Sequence, residues 1–421
     1  MKQNKFTIII PTRERADTLY WCLKTLVAQD YENLEILVSD NFSQDNTKEV
    51  VDSLDDKRIR YINTGKRVEM SLNWEFALSH VTEGYVGFLG DDDGYLPHTI
   101  EFLNYLLNQH EEDAVVWRAA SYNWIDSVVE TATPWFTMPI TTNILELRNA
   151  EEWYKKFEQL NVSIQQLICI YNCSVVSIKI INKIKSYYNQ TFFRSSMPDL
   201  FSSCILTKYA KNYIYIDKVL SIGGTSRKSN SGLDDKVLAL FHSERTLPVI
   251  NKYLGNEIIY SWVVFNADAI FYAEENDKYE VDSKTVEKVI DRVIEKIIFE
   301  IKFYPIERYL HTIKQIDKLL EKYPHKKKKW ENIVQKNHNS YSLPALATNG
   351  GISNNMIQIN ARDLGVMNIY EATSFCYLIF YGTNSKTDII NTIKTPKYVF
   401  LYKKLSKLKY YLGRIIEKCI I

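Results

Sequence analysis

A short apolar run, Phe6-Thr7-Ile8-Ile9-Ile10, is closed by Pro11 and followed at once by a helical pattern. A run of that length without polar alternation reads as a strand buried on both faces. Over residues 17–29 the apolar residues Leu19, Tyr20, Cys22, Leu23, Leu26 and Val27 recur at helical spacing, with Asp17 or Thr18 available as the cap. Residues 34–39 form a second buried strand that stops at a polar cluster, 40–46. A helix over 47–54, a strand over 58–62, a helix over 71–81 and a strand over 85–89 continue the alternation. A chain that alternates in this way folds as an α/β domain around a largely parallel sheet.

In such sheets ligands bind beyond the carboxyl ends of the strands. Three of those ends carry polar or charged loops, 11–15, 40–45 and 90–94, and the fold brings them to one crevice. After a helix over 99–108 and a strand over 114–118, residues 119–160 are rich in Trp, Thr and Pro and read as a variable loop region. A strand near 166–171 and a helix over 175–187 lead to Met197-Pro198-Asp199, which opens another apolar helix. Beyond residue 233 the pattern changes to long amphipathic helices, clearest over 283–303 and 307–323. The expected division is 1–232 (halves 1–110 and 111–232), a helical accessory domain over 233–345, and a C-terminal segment over 346–421. Specificity is expected to lie in the variable region and the accessory module.

Composition removes some classes of function. With 52 basic and 51 acidic residues the formal net charge is +1, so nothing global attracts the chain to nucleic acid. The six cysteines, Cys22, Cys169, Cys173, Cys204, Cys376 and Cys419, lack paired metal spacing. The apolar run at the start is too short for a signal peptide, and no window reaches the length of a membrane span. The expected location is cytoplasmic.

The strongest chemical feature is Gly90-Asp91-Asp92-Asp93-Gly94. Like charges packed that closely raise one another's pKa unless a cation is present. A hard divalent ion held by oxygen ligands, with diphosphate oxygens completing its shell, resolves the conflict. The spacing puts Asp91 and Asp93 on one side of an extended segment. The bland alternative is an acidic surface turn.

The segment IIIPTRERADTLYWCLKTLVAQDYENLEILVSDNFSQDNT, followed later by EGYVGFLGDDDGYL, resembles the amino-terminal half of family 2 glycosyltransferases. The likeness is good over roughly the first 110 residues, partial to about residue 230 and absent afterwards. It implies a GT-A fold, a nucleotide diphosphate sugar as donor, Mg²⁺ or Mn²⁺ as cofactor, and inversion at the anomeric carbon. Carried onto this sequence, it implies that Pro11, Thr12, Arg13 and Arg15 line the nucleotide and that Asp40 binds the base. Asp91 and Asp92 also face the nucleotide, and Asp93, with Asp91, faces the metal. Asn73 matches the family's third helix, but Leu72 stands where many members have Arg, and Arg67 or Lys66 is expected to supply that charge.

Inverting transfer needs a base for the acceptor hydroxyl. Asp199, behind Pro198 at the start of an apolar helix, resembles the family's acidic residue there; its other reading is an acid that complements the helix dipole. The loop 223–230 and His242 are further candidates at the diphosphate, and Trp124 and Trp135 at a sugar ring. Trp74 and Trp117 read as core. Residues 394–421 interleave apolar and basic side chains, as helices lying on anionic membranes do. That suits a glycan or lipid-linked saccharide acceptor in surface polysaccharide synthesis, and association with the inner face of the plasma membrane. A pyrophosphorylase is the weaker reading, since PTRER is not a Gly-rich loop. A non-catalytic glycan- or partner-binding protein on the same scaffold is the other rival.

Overall fold

The computed structural model describes residues 2–125, 134–195, 197–229, 252–253, 262–275, 280–301, 306–338, 351–353 and 356–381. His242 and the basic segment 394–421 lie outside the described residues, as do the expected boundaries at 232/233 and 345/346.

The amino-terminal alternation is realised as β1 (Phe6–Thr12), α1 (Ala16–Val27), β2 (Leu34–Asp40), α2 (Thr47–Asp52), β3 (Ile59–Asn63), α3 (Met70–Leu78) and β4 (Tyr85–Phe88). β1 pairs in parallel with β2 and β4, and β2 with β3, giving the order β3-β2-β1-β4. Each of these connections carries a helix, as parallel pairing requires. The apolar runs are what bury this sheet: Phe6, Ile8, Ile9, Ile10, Ile36, Leu37 and Val38 are all fully enclosed.

Next come β5 (Gly94–Tyr95), α4 (Thr99–Gln109) and β6 (Ala114–Asn123). The stretch expected to be loop is largely ordered, with β7 (Trp135–Pro139), β8 (Leu145–Asn149) and α5 (Ala150–Glu158). Its strands are short and find their partners elsewhere in the chain, so tertiary context rather than a local period decides them. The strand expected near 166–171 is reduced to a single bridge between Phe88 and Tyr171. Residues Ser174–Ser177 form β9, between β4 and β6, rather than the first turn of a helix. The β-branched pair Val175-Val176 suits a buried strand. Ser177 then caps α6 (Ile178–Tyr187), its hydroxyl accepting from Lys179 N–H at 3.3 Å.

α7 (Pro198–Tyr209) leads to β10 (Asn212–Thr225), a long strand that runs parallel to β6 and antiparallel to β5 and β8. Among the described residues the helices α8 (Trp262–Glu274), α9 (Ser283–Ile301), α10 (Ile306–Lys322) and α11 (Lys327–His338) follow. α8 packs on α7, so Ala267, Ile270 and Phe271 share one core with Leu200, Phe201 and Ile205. β11 (Gly351–Ser353) and β12 (Met356–Asn360) extend the same sheet, β12 pairing with β7. α12 (Ala361–Leu364) then turns the chain into α13 (Ile369–Tyr381), which packs on α1. Residues 351–381 are thus built onto the sheet of the amino-terminal domain.

Phe42 stands out in the loop after β2. Its φ is +61° and its side chain is exposed. A bulky residue in the left-handed region costs roughly 1–2 kcal/mol. The loop holds it there, with Asn41 N–H donating to Thr12 O at 2.9 Å and Ser43 N–H to Asp40 Oδ1 at 2.9 Å. Phe42→Gly is expected to raise stability by up to about 1 kcal/mol in chemical denaturation. Phe42→Ala keeps the strained backbone and should give no gain; equal behaviour of the two variants would contradict the assignment of strain.

Candidate active site

The carboxyl ends of β1, β2 and β3 are level, because the parallel register sets Thr12 beside Asp40 and Asp40 beside Asn63. β4 delivers the run of three acids to the same edge. Gly90 is needed there: a Cβ would lie 2.3 Å from the Tyr171 hydroxyl and 2.7 Å from Asp93 Oδ2. Gly224, near the end of β10, is needed as well, since a Cβ would lie 1.9 Å from Asp92 O. Backbone and carboxylates can meet only because these two positions have no side chain.

Asp91, Asp92 and Asp93 are each no more than 3% exposed. Charges so enclosed need partners, and each acid has a different set. Asp91 accepts from the Thr12 hydroxyl at 2.7 Å and pairs with Arg15 at 2.5 Å. Asp92 accepts from Ser226 N–H at 3.1 Å, from the Ser226 hydroxyl at 2.7 Å and from the Ser229 hydroxyl, with Arg15 at 3.5 Å. Asp93 accepts from Gly90 N–H at 3.0 Å, Gly224 N–H at 2.6 Å and the Tyr171 hydroxyl. Arg15 thus matches Asp91 and reaches Asp92, while every donor to Asp93 is neutral. Burial pushes Asp91 up to about 6, the neighbouring Arg15 opposing it. Asp93 is raised by burial and then by Asp92.

The Arg15 guanidinium also reaches the Ser226 and Ser229 hydroxyls, at 3.3 and 3.2 Å. Lys228 donates to Glu14 O. Residues 223–229 therefore form a strap tied to the first loop through the acids. The loop was singled out in the sequence for its Gly and hydroxyl content; its partner, Asp92, was not foreseeable from spacing.

On the other side of β1, Asp40 is buried and accepts from Tyr61 at 2.5 Å, Asn63 at 3.1 Å and Ser43 at 2.6 Å. Pro11 is half-buried on β1. Arg13 and Arg67 are exposed and close enough that Arg67, after partial desolvation, lowers the pKa of Arg13. Two guanidinium groups near each other repel, and a bound anion would relieve that repulsion. Leu72, at the position where a cation is missing, is exposed. Asn73 is turned inward: its Oδ1 accepts from the Ser39 hydroxyl at 2.7 Å and its Nδ2 donates to Ser39 O at 3.3 Å. It braces β2 just before Asp40.

Asp199 lies in the first turn of α7, half-buried, with Pro198 preceding it. It is near enough to raise the pKa of Cys169, although the hydrogen bond from Cys173 outweighs it and the thiol's net shift is downward. Trp124 is buried and donates to Asp92 O at 3.1 Å, so it supports the acids from behind. Trp135 is half-buried on β7, opposite Asn360. Trp74 stacks on Phe88 with ring centroids 4.5 Å apart, and Trp117 is fully enclosed, as expected of core residues. Tyr171, Ser226 and Ser229 are the contributors that sequence patterning did not single out individually.

Among the described residues no three His, Cys, Asp or Glu side chains are grouped to hold a metal ion. Magnesium-type sites that use substrate phosphates need only one or two carboxylates. The chemistry of this donor set fits such a site at Asp93, whose charge meets no cation, better than at Asp91, whose charge is met by Arg15.

Residues 7–184 match the family model described as Glycosyl transferase family 2. The chain is 36% identical over 108 residues to a GalNAc(5)-diNAcBac-PP-undecaprenol beta-1,3-glucosyltransferase of Campylobacter jejuni, covering 25% of this chain and 35% of that protein. It is 30% identical over 87 residues to a UDP-Glc:alpha-D-GlcNAc-diphosphoundecaprenol beta-1,3-glucosyltransferase of Escherichia coli, covering 21% of this chain and 35% of that one. The chain thus spans about a third of the length of these two relatives. Among solved structures, S. aureus TarS in complex with UDP-GlcNAc aligns with 83% of this chain and 95% of its own, at 13% identity and a TM-score of 0.45.

Removal of Arg15 tests the electrostatics. Arg15→Met should destabilise the protein at pH 7.5 by about 3 kcal/mol, the cost of leaving a buried charge unpaired. Without the guanidinium the folded-state pKa of Asp91 rises above about 6, so folding takes up a proton and is favoured by acid. The penalty should therefore shrink as pH falls toward 5, in urea melts of variant and wild type. A penalty that is independent of pH would contradict this account.

Proposed function

We propose that this chain, whose residues 7–184 match the family 2 glycosyltransferase model, transfers a sugar from a nucleotide diphosphate donor to a saccharide acceptor. The observation that carries the reading is the buried row Asp91-Asp92-Asp93 at the end of β4, level with Asp40 on β2 and faced by Arg15. That arrangement suits a molecule with a polar ring at one end and concentrated negative charge in the middle. Asp40 accepts hydrogen bonds, as a base with N–H groups requires. Arg13 and Arg67 match the diphosphate, with Thr12 and Pro11 shaping the wall between them. A divalent ion, Mg²⁺ or Mn²⁺, would be held by Asp93 together with phosphate oxygens and would stabilise the leaving diphosphate.

The UDP-type donor rests on the name of the Escherichia coli relative, and a lipid-linked saccharide acceptor on the names of both relatives; a role in surface polysaccharide synthesis is our extension of that reading. Inversion at the anomeric carbon requires a base on the acceptor side, and Asp199 is our choice. The described residues hold no helix long and apolar enough to cross a membrane.

Two measurements test this. Titration calorimetry with UDP, GDP and their sugar conjugates should find one nucleotide whose binding needs Mn²⁺ and is lost in Asp93→Asn. Because bound metal requires a deprotonated carboxylate, the affinity should fall as pH is lowered through about 7, to which burial and then Asp92 raise the Asp93 carboxyl. No nucleotide binding by the wild type would reject the transferase reading and favour a binding module on this scaffold. Second, Asp199→Asn should leave nucleotide affinity unchanged and lower kcat by about 10²–10⁴. A variant with full kcat would remove Asp199 from the reaction.

A further inference from the structure

Asn172 sits in the turn between Tyr171 and β9, in the left-handed region with φ +62°, and is 8% exposed. Its main chain is fully used. The N–H donates to Phe88 O at 2.7 Å, and the carbonyl accepts from the Ser221 hydroxyl at 2.7 Å, which itself accepts from Trp117 Nε1 at 2.8 Å. The side chain is not used in this way: Oδ1 is buried and meets no donor among the described residues.

The position of that amide is informative. Nδ2 lies 2.9 Å from the point that a Cβ on Gly223 would occupy, and Asp93 Oδ1 lies 4.0 Å from the same point. Tyr171, one residue earlier, hydrogen-bonds Asp93 through its hydroxyl. Amide and carboxylate therefore flank the strap together. A buried acceptor without a donor costs free energy, and glycine would hold the same backbone without that cost. Asparagine here is explained if something with a donor uses Oδ1.

The order of the strands says which part of a donor molecule that is. Across the sheet β3-β2-β1-β4-β9, Asp40 stands on β2, Thr12 on β1, the acids follow β4, and Asn172 immediately precedes β9. A nucleotide sugar laid along this edge with its base at Asp40 and its diphosphate at the acids places its sugar at Asn172. A phosphate offers no donor to an amide oxygen; a sugar hydroxyl does. We propose that Asn172 binds the transferred sugar, its Oδ1 accepting a hydrogen bond from a ring hydroxyl beside Asp93. This rests on the donor reading given above and assigns a sugar-binding residue within it. Sites with buried acceptors discriminate strongly against analogues that lack the matching hydroxyl.

The test compares a nucleotide with and without its sugar. Affinities for UDP, GDP, UDP-glucose, UDP-galactose, UDP-GlcNAc and GDP-mannose are measured with Mn²⁺ on the wild type and on Asn172→Gly. Glycine keeps the left-handed backbone, and the thermal midpoint should be retained or raised. Expected is a loss of about tenfold or more for the sugar nucleotide that the wild type binds, with its parent nucleotide changed less than about twofold. Equal losses on nucleotide and sugar nucleotide, or none on either, would overturn the assignment while leaving the donor reading intact. A wild type that binds no member of the panel would overturn both. Deoxy analogues of the preferred sugar extend the comparison: one of them should bind the wild type as weakly as the full sugar binds Asn172→Gly, and the variant should not distinguish the two. If no deoxy analogue behaved in that way, the assignment would fail.

Discussion

Three adjacent carboxylates enclosed by protein repel one another, and the guanidinium of Arg15 offsets part of the cost of burying them. It lies against Asp91 and reaches Asp92, and it also binds the two serine hydroxyls that complete the shell of Asp92. One side chain from the loop after β1 thereby joins the end of β4 to the end of β10. Much of the architecture follows from serving that arrangement. Gly90 and Gly224 allow the backbone to approach, Trp124 holds Asp92 from behind, and Tyr171 reaches Asp93 from the turn before β9.

The remaining charge is as instructive as the matched part. Asp93 receives only neutral donors, in a fully enclosed position, so its carboxyl is raised toward the uncharged form. A group in that condition is poised to take a cation when one arrives with its own oxygen ligands. On the opposite side of β1, the two arginines near each other carry the reverse imbalance. That alternation of surplus negative and surplus positive charge is what the proposed metal-bridged diphosphate would neutralise.

The later parts of the chain contribute support rather than chemistry to this picture. α8 packs on α7 and backs the helix whose first turn carries Asp199. β12 and α13 return to the sheet and to α1, with Ile369 and Thr373 close to Gly94. The run of acids is therefore braced from the carboxyl-terminal side of the chain as well as from its own loops.

By itself the sequence determined the parallel α/β core, because uninterrupted apolar strands such as residues 6–10 and amphipathic helices such as α1 encode their burial locally. It also determined where the acids would stand, since a charged run directly after a buried strand has nowhere else to go but the carboxyl edge of the sheet. The later strands were not legible: β7, β8 and β10 draw their stability from partners distant in the chain. The same holds for the site's second layer. That Asn73 braces β2, that Ser226 and Ser229 close on Asp92, and that the Asn172 Oδ1 meets no donor among the described residues are consequences of long-range packing. Hydrogen bonds between residues tens of positions apart, as Ser39 and Asn73, or more than a hundred apart, as Asp92 and Ser226, leave no period in a sequence, so only the tertiary structure decided them.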